Sequence, residues 1–167
     1  MFEHYSDLAR QAIFFARKEA GETGAATIDT EHLLIGVQSV HPELPKQLAI
    51  EIDLTSVRNQ AEQHSSKPAI PDAVDLPISP DLGRVFQHAI SIADVQQCRE
   101  VRTEHLIASM LEEGGHAGKL LTDLGLDKKA ISNLISNIDC CMPQQQTEES
   151  RRAMSSMLSS MLGKMPM

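Results

Sequence analysis

Two tetrapeptides carry most of the polar chemistry legible in this chain. Thr30-Glu31-His32-Leu33 recurs as Thr103-Glu104-His105-Leu106, 73 residues later. A hydroxyl, a carboxylate and an imidazole in succession have two uses. At a helix start the Thr hydroxyl accepts from an unpaired backbone N–H, worth about 1 kcal/mol. Glu then stands in the first turn, where the helix dipole favours negative charge, and His packs against or hydrogen-bonds to the neighbouring repeat. In a pocket, the same groups would instead hold a charged ligand. A catalytic motif needs one copy, so two copies point to a duplicated fold unit or to a pair of equivalent sites.

Other chemistry is thinly represented. A phosphate-cradling loop needs G-x-x-x-x-G-K-[ST]. The nearest approach, GGHAGKL at 114–120, has Leu120 where Ser or Thr belongs and Glu113 where the first Gly belongs. It reads as a loop between helices, and an ATPase is excluded. The seven histidines are scattered and Cys140-Cys141 has no second pair at zinc-finger spacing, so no metal or cofactor is expected. Cys98 lacks a paired His for nucleophilic chemistry. Three cysteines, two of them adjacent, form no disulfide framework, and they suggest a reducing, cytoplasmic setting.

Composition narrows the partners. The net charge of −8 opposes broad contact with phosphate backbones, and the 3% aromatic content leaves little for base stacking. Nucleic acid is therefore not expected. No secretory signal and no stretch of 18 apolar residues is present, so no membrane span is expected either. Basic or unfolded polypeptides fit the charge better.

The elements that must position the two tetrapeptides are helical. In residues 6–20, Leu8, Ala9, Ala12, Ile13, Ala16 and Ala20 recur at three- and four-residue spacing behind Ser6 and Asp7. Gly21 and Gly24 end that helix. Asp29 or Thr30 caps a second helix to about Val40. A short helix follows near Leu44–Ile50 and a longer one near Leu54–His64. Residues 65–79 form a Pro-rich, mobile linker. The pattern then resumes with Leu82, Val85, Phe86, Ala89, Ile90 and Ala93 on one face behind Pro80. Thr103 caps the next helix. Gly114, Gly115 and Gly118 suggest a flexible turn before a short helix and, after Gly125, a last one.

The two halves align at a shift of 73, then 74. Ser6 meets Ser79, Ala16 meets Ala89 and Ile28 meets Val101; further on, Asp53 meets Asp127 and Val57 meets Ile131. This predicts an all-α, pseudo-twofold, duplicated four-helix repeat of eight helices, with no sheet. The first repeat spans 1–64 and the second 80–140.

A tail at 141–167 follows. Met154, Met157, Leu158, Met161, Leu162 and Met165 fall at steps of 3, 1, 3, 1 and 3, with Ser and Lys164 opposite. That is an added amphipathic helix. It either folds back on its own domain, frays, or docks on a partner through adaptable Met side chains. Self-association through it is a further use of the same stripe.

The opening MFEHYSDLARQAIFFARKEA, both TEHL segments, IDLTSVRNQ, GLDKKAISN and the linker ending Ile78-Ser79-Pro80 resemble the Clp N-terminal domain over residues 1–140. In that family the double repeat precedes the ATPase modules of unfoldases. The resemblance implies a non-enzymatic binding module. Its partners would be substrates, adaptors, or Clp ATPase or protease subunits. Some members bind phosphoarginine, which would place Ser6 with Glu31, and Ser79 with Glu104, in two pockets. Arg10 aligns with Gly83, so such pockets would not be equivalent. The chain reads as a stand-alone domain; the N-terminal part of a larger ATPase chain, and a module unrelated to proteolysis that reuses the fold, are the alternatives.

Overall fold

The computed structural model describes residues 2–63, 75–138 and 152–157. Among these, residues 7–136 hold eight helices: α1 (Asp7–Glu22), α2 (Thr30–Val40), α3 (Glu43–Gln47), α4 (Leu54–Gln63), α5 (Pro80–Val95), α6 (Thr103–Glu113), α7 (Gly115–Asp123) and α8 (Lys128–Ser136). Residues 152–157 are also helical, and no strand is present among the described residues. Met154 and Met157 are half-buried there. Leu158, Met161, Leu162 and Met165, the rest of the expected stripe, lie outside the described residues.

The expected repeat is present. α1 packs on α2, and α4 on α2; α5 packs on α6, and α8 on α6. The seams are aliphatic and small: Ala12, Ala16, Ala20, Ala89 and Ala93 are all buried, as are the paired Val57 and Ile131. Serine hydroxyls start both long helices. Ser6 Oγ accepts from the Ala9 N–H at 3.3 Å, and Ser79 Oγ from the Leu82 N–H at 3.1 Å. Glu19, buried in the first half, accepts from the Arg58 guanidinium, which fastens α4 to α1.

The halves are joined by crossed backbone bridges. Tyr5 pairs with Val101, and Ile28 with Ile78, each in parallel. The first bridge has Ser6 N–H donating to the Val101 carbonyl at 2.9 Å and Val101 N–H to His4 at 2.7 Å. The second repeats it: Ser79 N–H to Ile28 at 2.9 Å, and Ile28 N–H to Pro77 at 2.8 Å. The residue leading into each half's first helix is thus held by the other half. Phe2, Tyr5 and Phe86 add edge-to-face ring contacts at this junction.

Four expectations are corrected. The GGHAGKL stretch is no flexible turn: α7 starts at Gly115 and runs through Gly118. A Cβ on Gly118 would lie 2.5 Å from the Met110 carbonyl oxygen, so glycine is needed there for close approach inside a helix. Residues 65–74 of the expected linker lie outside the described residues; its described end is not mobile but pinned through Ile78. Ile90, placed on the core face of α5 by its spacing, is 38% exposed. Cys98 is disulfide-bonded, with its partner outside the described residues, so an odd cysteine count did not exclude a bond. No helix among the described residues is long and apolar enough to cross a membrane.

Candidate functional site

The two TEHL segments start α2 and α6 and face the junction between the halves. Their threonines are the first helical residues, not the caps; the cap positions belong to Asp29 and Arg102. Asp29 Oδ1 accepts from the Thr30 N–H at 2.7 Å. The histidines supply the reciprocal bond that Glu or Gln makes in many helix starts. His32 Nδ1 accepts from the Asp29 N–H at 3.0 Å, and His105 Nδ1 from the Arg102 N–H at 2.9 Å.

That bond fixes the tautomer: Nδ1 accepts, so Nε2 carries the proton. The Nε2 atoms face Thr23 Oγ1 at 3.3 Å and Gln96 Oε1 at 3.0 Å, the equivalent residues at the ends of α1 and α5. Burial favours the neutral ring. It lowers the His32 pKa and takes His105 from 6.5 to about 4, against the opposing pull of Glu104. These imidazoles are structural latches between consecutive helices of their own repeat, not contacts to the neighbouring repeat as expected.

The threonine and glutamate side chains turn to the other half. The Thr30 hydroxyl donates to Glu31 at 3.4 Å and accepts from the Ala117 N–H of α7 at 3.3 Å. Thr103 donates to Glu104 at 3.0 Å and lies 2.9 Å from His41 Nδ1. Burial lowers the His41 pKa while Glu104 and Glu43 oppose it. Glu31 and Glu104 are both buried carboxylates.

The expected serine–glutamate pairings come out crossed. Ser79 Oγ donates to Asp29 Oδ1 at 3.1 Å, which sets Ser79 beside the start of α2 and Glu31. The Ser6 amide bonds Val101, which sets Ser6 beside the start of α6 and Glu104. Each cluster therefore joins both repeats. The clusters differ in charge: Asp29 stands at the cap of one and Arg102 at the cap of the other. Arg10 forms an exposed pair with Asp7.

Sequence reasoning missed His41 and His116, which approach these clusters from the opposite half. His116 Nδ1 lies 3.3 Å from Glu31 Oε1. One donor atom each from Asp29, Glu31 and His116 lies within 4.8 Å of the others. An apolar groove of about 370 Å³ also opens beside α1, lined by Phe2, Ile13, Phe14, Leu76 and Phe86, with Arg17 paired to Asp75 at 2.9 Å.

Comparison with known proteins follows the same halves. The Clp repeat (R) N-terminal domain matches residues 4–124. The ATP-dependent Clp protease ATP-binding subunit ClpA homolog of Cyanidium caldarium is 29% identical over 142 residues, covering 83% of this chain and 17% of that protein. The chloroplastic chaperone protein ClpD of Arabidopsis thaliana is 24% identical over 145 residues, covering 79% of this chain and 15% of its own length. The chain thus spans about a sixth of the relatives it matches. Among solved structures, the N-terminal domain of Arabidopsis thaliana ClpD is similar with a TM-score of 0.67 at 25% identity, covering 82% of this chain and 97% of that one. The Hsp104 N-terminal domain from Candida albicans shares the fold with a TM-score of 0.66 at 20% identity, covering 81% and 91%. Two equivalent helix sets, two TEHL starts and a match running through both halves make this chain a member of the Clp repeat N-terminal domain family.

Proposed function

We propose that the chain is a non-enzymatic binding module of the Clp chaperone and proteolysis system. It would engage substrates or adaptors, or modulate a Clp ATPase or protease subunit. The observation that carries this reading is the family match through both repeats, which is to the N-terminal repeat domain. The open apolar groove beside α1 supports it, since such a surface suits extended polypeptide. Affinity capture from the native cell tests it: Clp ATPase or protease subunits should be recovered, and their absence would favour a use of the fold outside proteolysis. A larger native mass on an immunoblot would support the second reading, that this is the N-terminal part of a longer ATPase chain; the relatives' much greater length favours that reading.

The ligand we propose for the two helix-start clusters is a phosphoarginine side chain. Glu31 or Glu104 would pair with the guanidinium, while Ser79 or Ser6 and the adjoining helix N-terminus would hold the phosphate. Free phosphoarginine at millimolar concentration should shift amide resonances near these starts, and plain arginine should do so much less. Glu31→Ala with Glu104→Ala should abolish the shifts while the helical circular dichroism stays native. Unchanged spectra with the wild-type chain overturn the ligand.

A further inference from the structure

We propose that Asp29, Glu31 and His116 form a binding site for a divalent ion of the zinc class, held between the two halves of the domain. This does not rest on the phosphoarginine reading; an ion there would compete with a guanidinium for Glu31. The donor set is one imidazole nitrogen and two carboxylates, drawn from the cap and first turn of α2 and the first turn of α7. Zinc accepts that mixture, whereas magnesium and calcium select oxygen donors alone.

The distances suit it. At metal–ligand lengths near 2.1 Å, tetrahedral donors stand about 3.4 Å apart. Glu31 Oε1 and His116 Nδ1 are already 3.3 Å apart, and all three donor atoms fall within 4.8 Å. Closing the set takes about an ångström of movement, which the half-exposed His116 side chain has room to make. Outer-shell support is present as well: the Ser79 hydroxyl donates to Asp29, and the Thr30 hydroxyl to Glu31.

Charge decides which of the two helix starts takes the ion. The N-terminus of α2 carries roughly half a positive charge, which opposes a cation. Two carboxylates outweigh it. At the start of α6 there is one carboxylate, Glu104, and the cap residue is the cation Arg102, so the balance there is reversed. Elsewhere, His88 meets Glu112 through Nε2 at 2.9 Å and Glu113 through Nδ1 at 2.7 Å. Those carboxylates lie against different ring atoms and do not converge on one point.

The test titrates the intact chain with Zn²⁺ alone, by calorimetry and by thermal melting, with Mg²⁺ as the comparison. One Zn²⁺ per chain should bind, raise the melting temperature and be removed by chelator, while Mg²⁺ does neither. His116→Ala removes a direct ligand and should weaken binding by at least about 100-fold, the upper end of what losing a mere outer-shell partner costs. Asp29→Asn keeps a capping oxygen and should weaken it comparably with an unchanged fold. His88→Gln should leave it intact. Co²⁺ substitution should give the absorption of a tetrahedral site. Zinc affinity unchanged in both His116→Ala and Asp29→Asn, or no zinc binding at micromolar concentration, overturns the site and leaves His116 as an ion-pair partner of Glu31.

Discussion

The Ser109 hydroxyl donates to the Val85 carbonyl at 2.6 Å, and the equivalent place in the first half holds Gly36 against the Ala12 carbonyl. A Cβ at position 36 would lie 2.1 Å from that oxygen, so α1 and α2 approach more closely than a side chain permits. Gly36→Ala must therefore prise the two helices apart. We expect a loss of at least 1–3 kcal/mol, roughly the cost of overpacking. Ser109→Ala removes one buried hydrogen bond and should cost about 1 kcal/mol. Urea denaturation checks the order; a Gly36→Ala variant as stable as wild type would sink the close-approach argument.

Acid should weaken the domain through His105. Its pKa is about 4 in the fold against 6.5 ordinarily, so the unfolded chain takes up the proton first. The contribution is fully present above pH 6.5 and is lost as the pH falls toward 4. It amounts to roughly 3 kcal/mol at the limit. Gln at the same position can keep the reciprocal capping bond but does not titrate. Stability of His105→Gln, measured by denaturant between pH 7 and 4, should fall less steeply than wild type. Identical slopes would mean that the imidazole is not the group responsible.

Removing one member of the Glu19–Arg58 pair should be worse than removing the other. Arg58→Ala leaves a nearly buried carboxylate without its guanidinium, a loss of roughly 1–3 kcal/mol, reduced where water reaches the half-exposed arginine side. Glu19→Gln leaves only an exposed-side cation and should cost less. Thermal melts of the two variants, compared at low and high salt, decide it; equal losses would show that the pair contributes through packing alone.

Deleting residues 147–167 should leave the domain folded. The core assembled among the described residues runs from Tyr5 to Ile131, with partners as far as Ile135. The helical signal should fall only in proportion to length. The melting temperature should stay close to that of the full chain, and any partner or self-association contact should weaken. A large fall in melting temperature with association unchanged would show the Met154–Met165 stripe packing on its own domain.

The repeat was legible because duplicated helices keep their apolar spacing: Ala16 with Ala89, and Val57 with Ile131, need only periodicity to be recognised. The crossing was not. Ile28 and Ile78 meet through backbone atoms 50 residues apart, and no side-chain pattern marks such a bond. α7 was misread because glycine signals both turns and close packing, and only the Met110 carbonyl beside Gly118 tells them apart. The TEHL histidines were expected to pack against or hydrogen-bond to the neighbouring repeat, and their capping role was missed because reciprocal capping is usually the work of Glu or Gln. His41 and His116 were invisible as site residues, since each serves the helix start of the opposite half.

The crossed bridges have a consequence for a chain of one repeat. Residues 75–138 alone would present Ile78 and Val101 with no backbone partner, because in the full chain these pair with Ile28 and Tyr5. Two identical copies could satisfy one another around a twofold axis, so an isolated repeat is a latent homodimer. Tandem fusion turns that encounter into an internal one with a fixed effective concentration. The single chain then folds to the same degree however dilute it is, where its separated halves would come apart.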